Sequence, residues 1–297
     1  MRGKLKKLFA AVLAVLLALS FSGCSELTGL DAQALMSPPK TTADREAIYA
    51  LMGGGVGDVT LVYPKCGDYR SAIISRDLDG CGTSEVVSFC ANGDAGGTRL
   101  EFFKKNTDGV WNSMARFTSA ATQVDKVFFG DLTGDGMDEI IVGWGDPLTA
   151  TASVSVYYVD GDTIREFSMT TVSYSEILLT DFDSDNIKEL FVLQAAQTSG
   201  EEIMALGGLY RFDGDQPYVS KTVPLDAAVT RYTSVSFSQV NSWRRAAVLD
   251  GVKADGRMLT QVIGYDEASD RLISPLSNEE NATDRPTAAA AVSRDVN

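Results

Sequence analysis

Histidine is absent from all 297 residues. Without an imidazole, the serine and cysteine triads that use one as base are excluded, and so are the zinc ligand sets that include histidine, while the cysteines lack the spacing of a zinc site. Basic residues are outnumbered, 26 against 40 acidic, for a formal net charge of -14. Such a surface repels nucleic acid and anionic headgroups and attracts divalent cations. Only one long apolar run exists, Leu8 to Leu19, and it is too short for a comfortable transmembrane span. Beyond residue 56 long helical patterns are missing as well. The Gly53-Gly-Gly-Val-Gly57 run lacks the lysine and the spacing of a phosphate-binding loop.

What is present begins with Arg2, Lys4, Lys6 and Lys7, then the apolar run, then Phe21-Ser-Gly-Cys24. Basic, apolar and small-residue segments in that order make an export signal. The terminal cysteine makes it closely resemble a bacterial lipoprotein signal, although Phe21 stands where that family usually has an aliphatic residue. The resemblance implies removal of residues 1–23, lipidation (palmitate included) at Cys24 and a lipid-anchored position on the extracytoplasmic side of a cell membrane. The four basic residues of the signal leave with it, so 22 remain against 40 acidic, a net charge near -18. Residues 24–43, with Pro38 and Pro39, read as a flexible tether. Asp44 to Met52 is expected as a short helix stopped by Gly53, Gly54 and Gly55. Three cysteines follow Cys24. Export permits a disulfide, with Cys66 paired to Cys90 or to Cys81, and an odd number leaves one over.

The body of the chain, residues 44–275, repeats itself. Asp77-Leu-Asp-Gly-Cys-Gly-Thr-Ser-Glu85, Asp131-Leu-Thr-Gly-Asp-Gly-Met-Asp-Glu139 and Asp181-Phe-Asp-Ser-Asp-Asn-Ile-Lys-Glu189 start 54 and then 50 positions apart. Each lies between strand-like runs (Ala72 to Ser75, Val127 to Phe129 and Glu176 to Thr180 precede them). Asp-Gly hairpin signals follow at offsets of 31, 29 and 32 residues, at Asp108, Asp160 and Asp213. Ala247-Val-Leu-Asp250 to Gly256 reads as a degenerate fourth unit. Ser293-Arg-Asp-Val-Asn297 matches Ser75-Arg-Asp-Leu-Asp79, so residues 276–297 are either a tail or the start of a truncated fifth unit. A period near 50 predicts an all-β, propeller-like array of four-stranded blades.

Numbered from its first aspartate, the phrase offers side-chain oxygens at positions one, three, five and nine. Asp131, Thr133, Asp135 and Glu139, with the Met137 carbonyl, form one candidate calcium site; Asp181, Asp183, Asp185 and Glu189, with the Ile187 carbonyl, form another. Hard oxygen donors alternating around a glycine-rich turn suit a cation that takes six to eight oxygens. Asp77, Asp79 and Glu85 form a third, weaker site because Cys81 holds position five. The phrases resemble the FG-GAP or VCBS repeats of integrin-alpha-like β-propellers over roughly residues 56 to 275. That resemblance implies structural Ca2+ in these loops. The chain departs from it in having Glu at position nine, Cys81, a broken fourth loop and fewer than the seven usual blades.

The acidic residues are thus accounted for by a cation. The functional expectation is a non-catalytic, calcium-stabilised binding or adhesion module displayed at the envelope, with a protein or carbohydrate ligand. The alternative is a polysaccharide-active enzyme or an accessory subunit of one, which a groove with unpaired carboxylates outside the phrases would favour. Phe102, Phe103, Trp111, Tyr157, Tyr158, Tyr210 and Phe212 recur at matching places and are expected to pack between sheets. Trp144 and Trp243 have no repeat partner and are set apart as surface candidates.

Overall fold

The computed structural model describes residues 43–146, 151–168, 172–199, 202–212, 216–240 and 243–278. The signal 1–23, Cys24, most of the tether, the Asp213-Gly214 hairpin and the Ser293–Asn297 match lie outside them. The chain divides into a leading unit, residues 1–46, and a compact unit, residues 47–297. Helix α1 (Ala43–Leu51) comes first and, in the compact unit, buries Ile48 and Tyr49.

Four antiparallel sheets follow in chain order. The first is β1 (Ile73–Arg76), β2 (Glu85–Ala91), β3 (Thr98–Lys105) and β4 (Trp111–Ser119). The second is β5 (Gln123–Gly130), β6 (Glu139–Asp146), β7 (Thr151–Asp160) and β8 (Thr163–Glu166), with the two-residue β9 (Val172–Ser173) also paired to β7. β10 (Glu176–Thr180), β11 (Glu189–Ser199), β12 (Glu202–Arg211) and β13 (Tyr218–Leu225) make the third. The fourth is β14 (Val229–Val240), β15 (Trp243–Lys253), β16 (Met258–Asp266) and β17 (Arg271–Asn278).

The aliphatic run after each acidic phrase becomes an inner strand with both faces covered. Alternation sends successive side chains to opposite faces. In β2, Val87 and Phe89 join the cluster shared with the second sheet, while Val86 joins Ile48, Tyr49 and Met52. In β6, Ile140, Val142 and Trp144 face the first sheet and Ile141 faces the third. In β11, Leu190 and Val192 face the second sheet, Phe191 and Leu193 the fourth. Each such side chain is worth about 1.5–3 kcal/mol when fully buried. Phe102, Phe103, Tyr157 and Phe212 are all buried. Trp144 is buried too, which corrects its assignment to the surface; the Trp243 side chain lies outside the described ones.

Two expectations need correction. The propeller-like array of blades is replaced by four separate antiparallel sheets, none closed into a ring or barrel. Apolar clusters join first to second, second to third and third to fourth sheet; among the described residues none joins the fourth to the first. The repeated phrase encodes a strand, a loop and a strand, which is local information. Closure is a relation between the two end units, which no short repeat carries. The fourth unit is also misaligned by one strand: Ala247 to Leu249 lies in β15, the second strand of its sheet, not the first. Asp250 is a strand residue whose Oδ1 accepts a hydrogen bond from the Thr260 hydroxyl at 2.6 Å, so the turn comes only after Lys253.

Candidate metal centre

All three acidic phrases connect the first strand of a sheet to its second, and they share one internal hydrogen-bond scheme. The position-nine glutamate accepts from the position-two N–H: Leu78 to Glu85 Oε2 at 2.9 Å, Leu132 to Glu139 Oε2 at 2.7 Å and Phe182 to Glu189 Oε2 at 2.9 Å. The position-one aspartate accepts from the position-six N–H: Gly82 to Asp77 at 2.9 Å, Gly136 to Asp131 at 3.0 Å and Asn186 to Asp181 at 3.3 Å. Asp135 and Asp185 each take the N–H two residues on, at 2.8 Å. The repeated glutamate therefore clamps its loop with one oxygen. Gly80, Gly134 and Gly136 adopt positive φ at the turns. Met137 and Ile187, expected to contribute carbonyls, have inward side chains: Met137 packs on the first apolar cluster and Ile187 lies over Gly134.

The loops also abut one another. The Asp138 N–H donates to the Leu78 carbonyl at 3.0 Å, and the Lys188 N–H to the Asp131 carbonyl at 3.0 Å. Arg76 pairs with Asp138, and Arg245 reaches Asp181 at 3.3 Å. Acidic loops from three consecutive sheets thus lie side by side, which concentrates their negative charge.

Among the described residues, two clusters could hold a divalent metal ion. Asp181, Asp183 and Glu189 each bring an oxygen within 4.8 Å of the others, and Asp77, Asp79 and Cys81 do the same with two oxygens and a sulfur. Asp131, Thr133, Asp135 and Glu139 are not drawn together as a carboxylate trio. Threonine at position three removes the carboxylate that would bridge the ends of the loop, and Asp135 is exposed.

Sequence reasoning missed the basic residues that already face these carboxylates. The Arg211 guanidinium contacts Glu189 at 2.7 Å, Asp185 at 3.1 Å and Asp183. Lys104 Nζ lies 2.5 Å from Asp79 and 3.5 Å from Glu85. Strand register explains both. Glu189 and Glu85 continue pairings, Leu190 with Tyr210 and Val86 with Phe103, that bring Arg211 and Lys104 opposite them. The same register brings Tyr158 opposite Glu139, since Ile140 pairs with Tyr157. Glu139 therefore has no ion pair among the described residues. A basic residue shortly before the Asp-Gly hairpin was the available signal.

Electrostatics follows. Burial pushes Glu139 up to about 7, helped by Asp135 and Asp131 and opposed by the Leu132 N–H. Burial also pushes Glu189 to about 7, against hydrogen bonds from the Phe182 N–H and Arg211. Asp183 is raised by burial. Burial opposes the charges of Arg211 and Asp79, but their hydrogen bonds outweigh it: Arg211 is raised through Glu189, and Asp79 falls to about 2 through Cys81 and Lys104. Cys66, Cys81 and Cys90 are all free thiols.

Outside the loops, Asp125 and Glu176 are paired, Asp125 with the Tyr174 hydroxyl at 2.6 Å and Glu176 with Lys126. A cleft of about 170 Å³ opens between the first two sheets. It is bounded by Thr118, Ser119, Ser153, Ser155, Tyr157 and Glu166, with Trp144 behind them.

No family model and no curated protein matches the chain. Among solved structures it is similar to the Bacillus licheniformis rhamnogalacturonan lyase PL11, with a TM-score of 0.40 and 14% identity. The match covers 79% of this chain and 49% of that one, so the chain spans about half the length of that structure. These findings correct the integrin-like FG-GAP/VCBS assignment and the descriptive terms drawn from it, since no such family is matched. The expected non-catalytic binding or adhesion module is likewise matched by no family model and no curated protein. A likeness of that degree gives no residue of this chain a catalytic role. The physical reason for the error is that the acidic phrases are structural repeats: accounting for their carboxylates with a cation leaves every other group uninterpreted. Among the described residues no helix is long and apolar enough to cross a membrane.

Proposed function

We propose that this chain acts on polysaccharide at a cell envelope, anchored to the bilayer through Cys24, with calcium as the ion of its third acidic loop, Asp181 to Glu189. The cleft carries the activity. Thr118, Ser119, Ser153 and Ser155 supply hydroxyls suited to a polyhydroxylated ligand, and Tyr157 adds a phenol. Burial, then the Glu166 charge, raises the pKa of that phenol, so it remains a hydrogen-bond donor. Glu166, exposed at the rim, is the acid–base group within reach of a bound sugar. Calcium rather than a softer ion is supported at the third loop by an all-carboxylate set, Asp181, Asp183 and Glu189. The lipid anchor rests on the order of residues in 1–24.

The test is release of reducing ends from neutral and uronate-rich polysaccharides by the full chain in calcium. Release by the wild type and its loss in Glu166→Gln are expected. No release from any substrate, or equal release by the variant, overturns the activity assigned to the cleft.

A further inference from the structure

The first acidic loop differs from the other two in one ligand atom. Position five is Asp135 in the second loop and Asp185 in the third, but Cys81 in the first. Hard cations such as calcium take oxygen and avoid sulfur. Zinc and its neighbours accept thiolate and carboxylate together in a four-coordinate shell. The thiol is already inside the cluster, since Cys81 Sγ, an Asp77 oxygen and an Asp79 oxygen lie within 4.8 Å of one another. Cys81 is exposed, so an ion has a path to it.

A second observation points to a ligand at the same place. The Glu85 side chain is 1% exposed, and its Oε1 has no hydrogen-bond partner, while Oε2 clamps the Leu78 N–H. Lys104 Nζ lies 2.5 Å from Asp79 Oδ2 and 3.5 Å from Glu85 Oε1, a hydrogen bond to the first and a longer ion pair to the second, so both oxygens face the one point that the ammonium holds. Asp77 Oδ1 is buried without a partner as well. Buried oxygens rarely go unsatisfied, and here one belongs to Asp77 of the thiol-containing cluster and the other to Glu85, which shares Lys104 with Asp79.

We propose that the first loop is a separate site for a thiophilic divalent cation of the zinc class, held by Asp77, Asp79, Cys81 and Glu85, with Lys104 as the resident charge it displaces. The inference shares with the proposed function the reading of the acidic loops as cation sites, but it concerns another loop and another ion. On binding, the Cys81 thiol passes its proton to water and its sulfur joins the metal. The Lys104 ammonium swings toward solvent.

Cobalt(II) is the probe, because a cobalt–thiolate bond produces a near-ultraviolet charge-transfer band that oxygen ligands do not. Added to the reduced, chelator-treated full chain, cobalt is expected to give that band, equimolar zinc to bleach it and excess calcium to leave it. Cys81→Ser should lose the band and Cys66→Ser keep it. Lys104→Met should tighten cobalt binding. The site is overturned by no band in the wild type, by a band that survives in Cys81→Ser, or by bleaching with calcium as effective as with zinc. Unchanged or weaker cobalt binding in Lys104→Met overturns the displacement of Lys104. Calorimetric titration of Cys81→Ser with calcium separates the readings, since calcium uptake at the third loop stands or falls independently of the band.

Discussion

Glu139 is 2% exposed, accepts two backbone N–H groups and has no basic partner among the described residues, and burial holds its pKa near 7 against an ordinary 4.5. A carboxyl raised in the folded state keeps its proton there after the unfolded chain has lost it. Its contribution to stability is therefore full below about pH 4.5 and is lost as pH rises to about 7, on the order of 3 kcal/mol. Glu189 acts with the same sign, while Asp79, lowered to about 2, titrates below this window. Urea unfolding in chelator should show greater stability at pH 5 than at pH 8, and Glu139→Gln should flatten much of that slope. A variant that falls as steeply as the wild type would refute the assignment. At the third loop, Arg211 stands where a cation would sit. Arg211→Met should cost roughly 1–3 kcal/mol without divalent ions, because Glu189 is left buried without its charge partner. It should also tighten calcium binding roughly tenfold, about 1.4 kcal/mol. Titration calorimetry that finds weaker or unchanged calcium binding would show that ion and guanidinium do not compete.

Between β2 and β3, Gly97 holds φ +79, and a Cβ there would collide with the Ser119 carbonyl oxygen. The neighbouring Thr98 pairs with Ser119, so β3 and β4 meet at this point. Gly97→Ala should destabilise the chain by about 2 kcal/mol or more, combining left-handed strain with displaced strand backbone. A melting temperature equal to wild type would exclude that account. At this scale much was legible. Alternation and turn signals located β1, β5 and β10, and Asp44 to Met52 was read as the helix at Ala43–Leu51. The spacing of Asp181, Asp183 and Glu189 also picked out residues that the fold brings together. The basic residues facing them were not legible, because Lys104 and Arg211 arrive through antiparallel register across a strand pair. The Asp250 unit misled for the converse reason: an acidic, glycine-containing string resembles a turn until cross-strand partners, here Thr260, hold it extended.

The apolar clusters run serially through the compact unit, and this orders the stability of its sheets. The second and third sheets each contribute to two shared clusters, and the first contributes to one shared with the second sheet and one with α1 residues. Among the described residues, the fourth sheet contributes to a single cluster. Amides of β14 to β17 should therefore exchange hydrogen before those of β5 to β7 and β10 to β12 in native-state exchange. Protection in the fourth sheet equal to that of the second would mean that the molecule opens only as a whole. The sequence by itself determined the all-β character, the repeat near 50 residues and the carboxylate spacing, because each depends on residues close together in the chain. Only the tertiary structure decided that the described strands form four separate sheets packed in series, that Lys104 and Arg211 oppose the acidic loops, and that a hydroxyl-lined cleft separates two sheets. Those features depend on contacts between distant residues, whose register and packing no local pattern records.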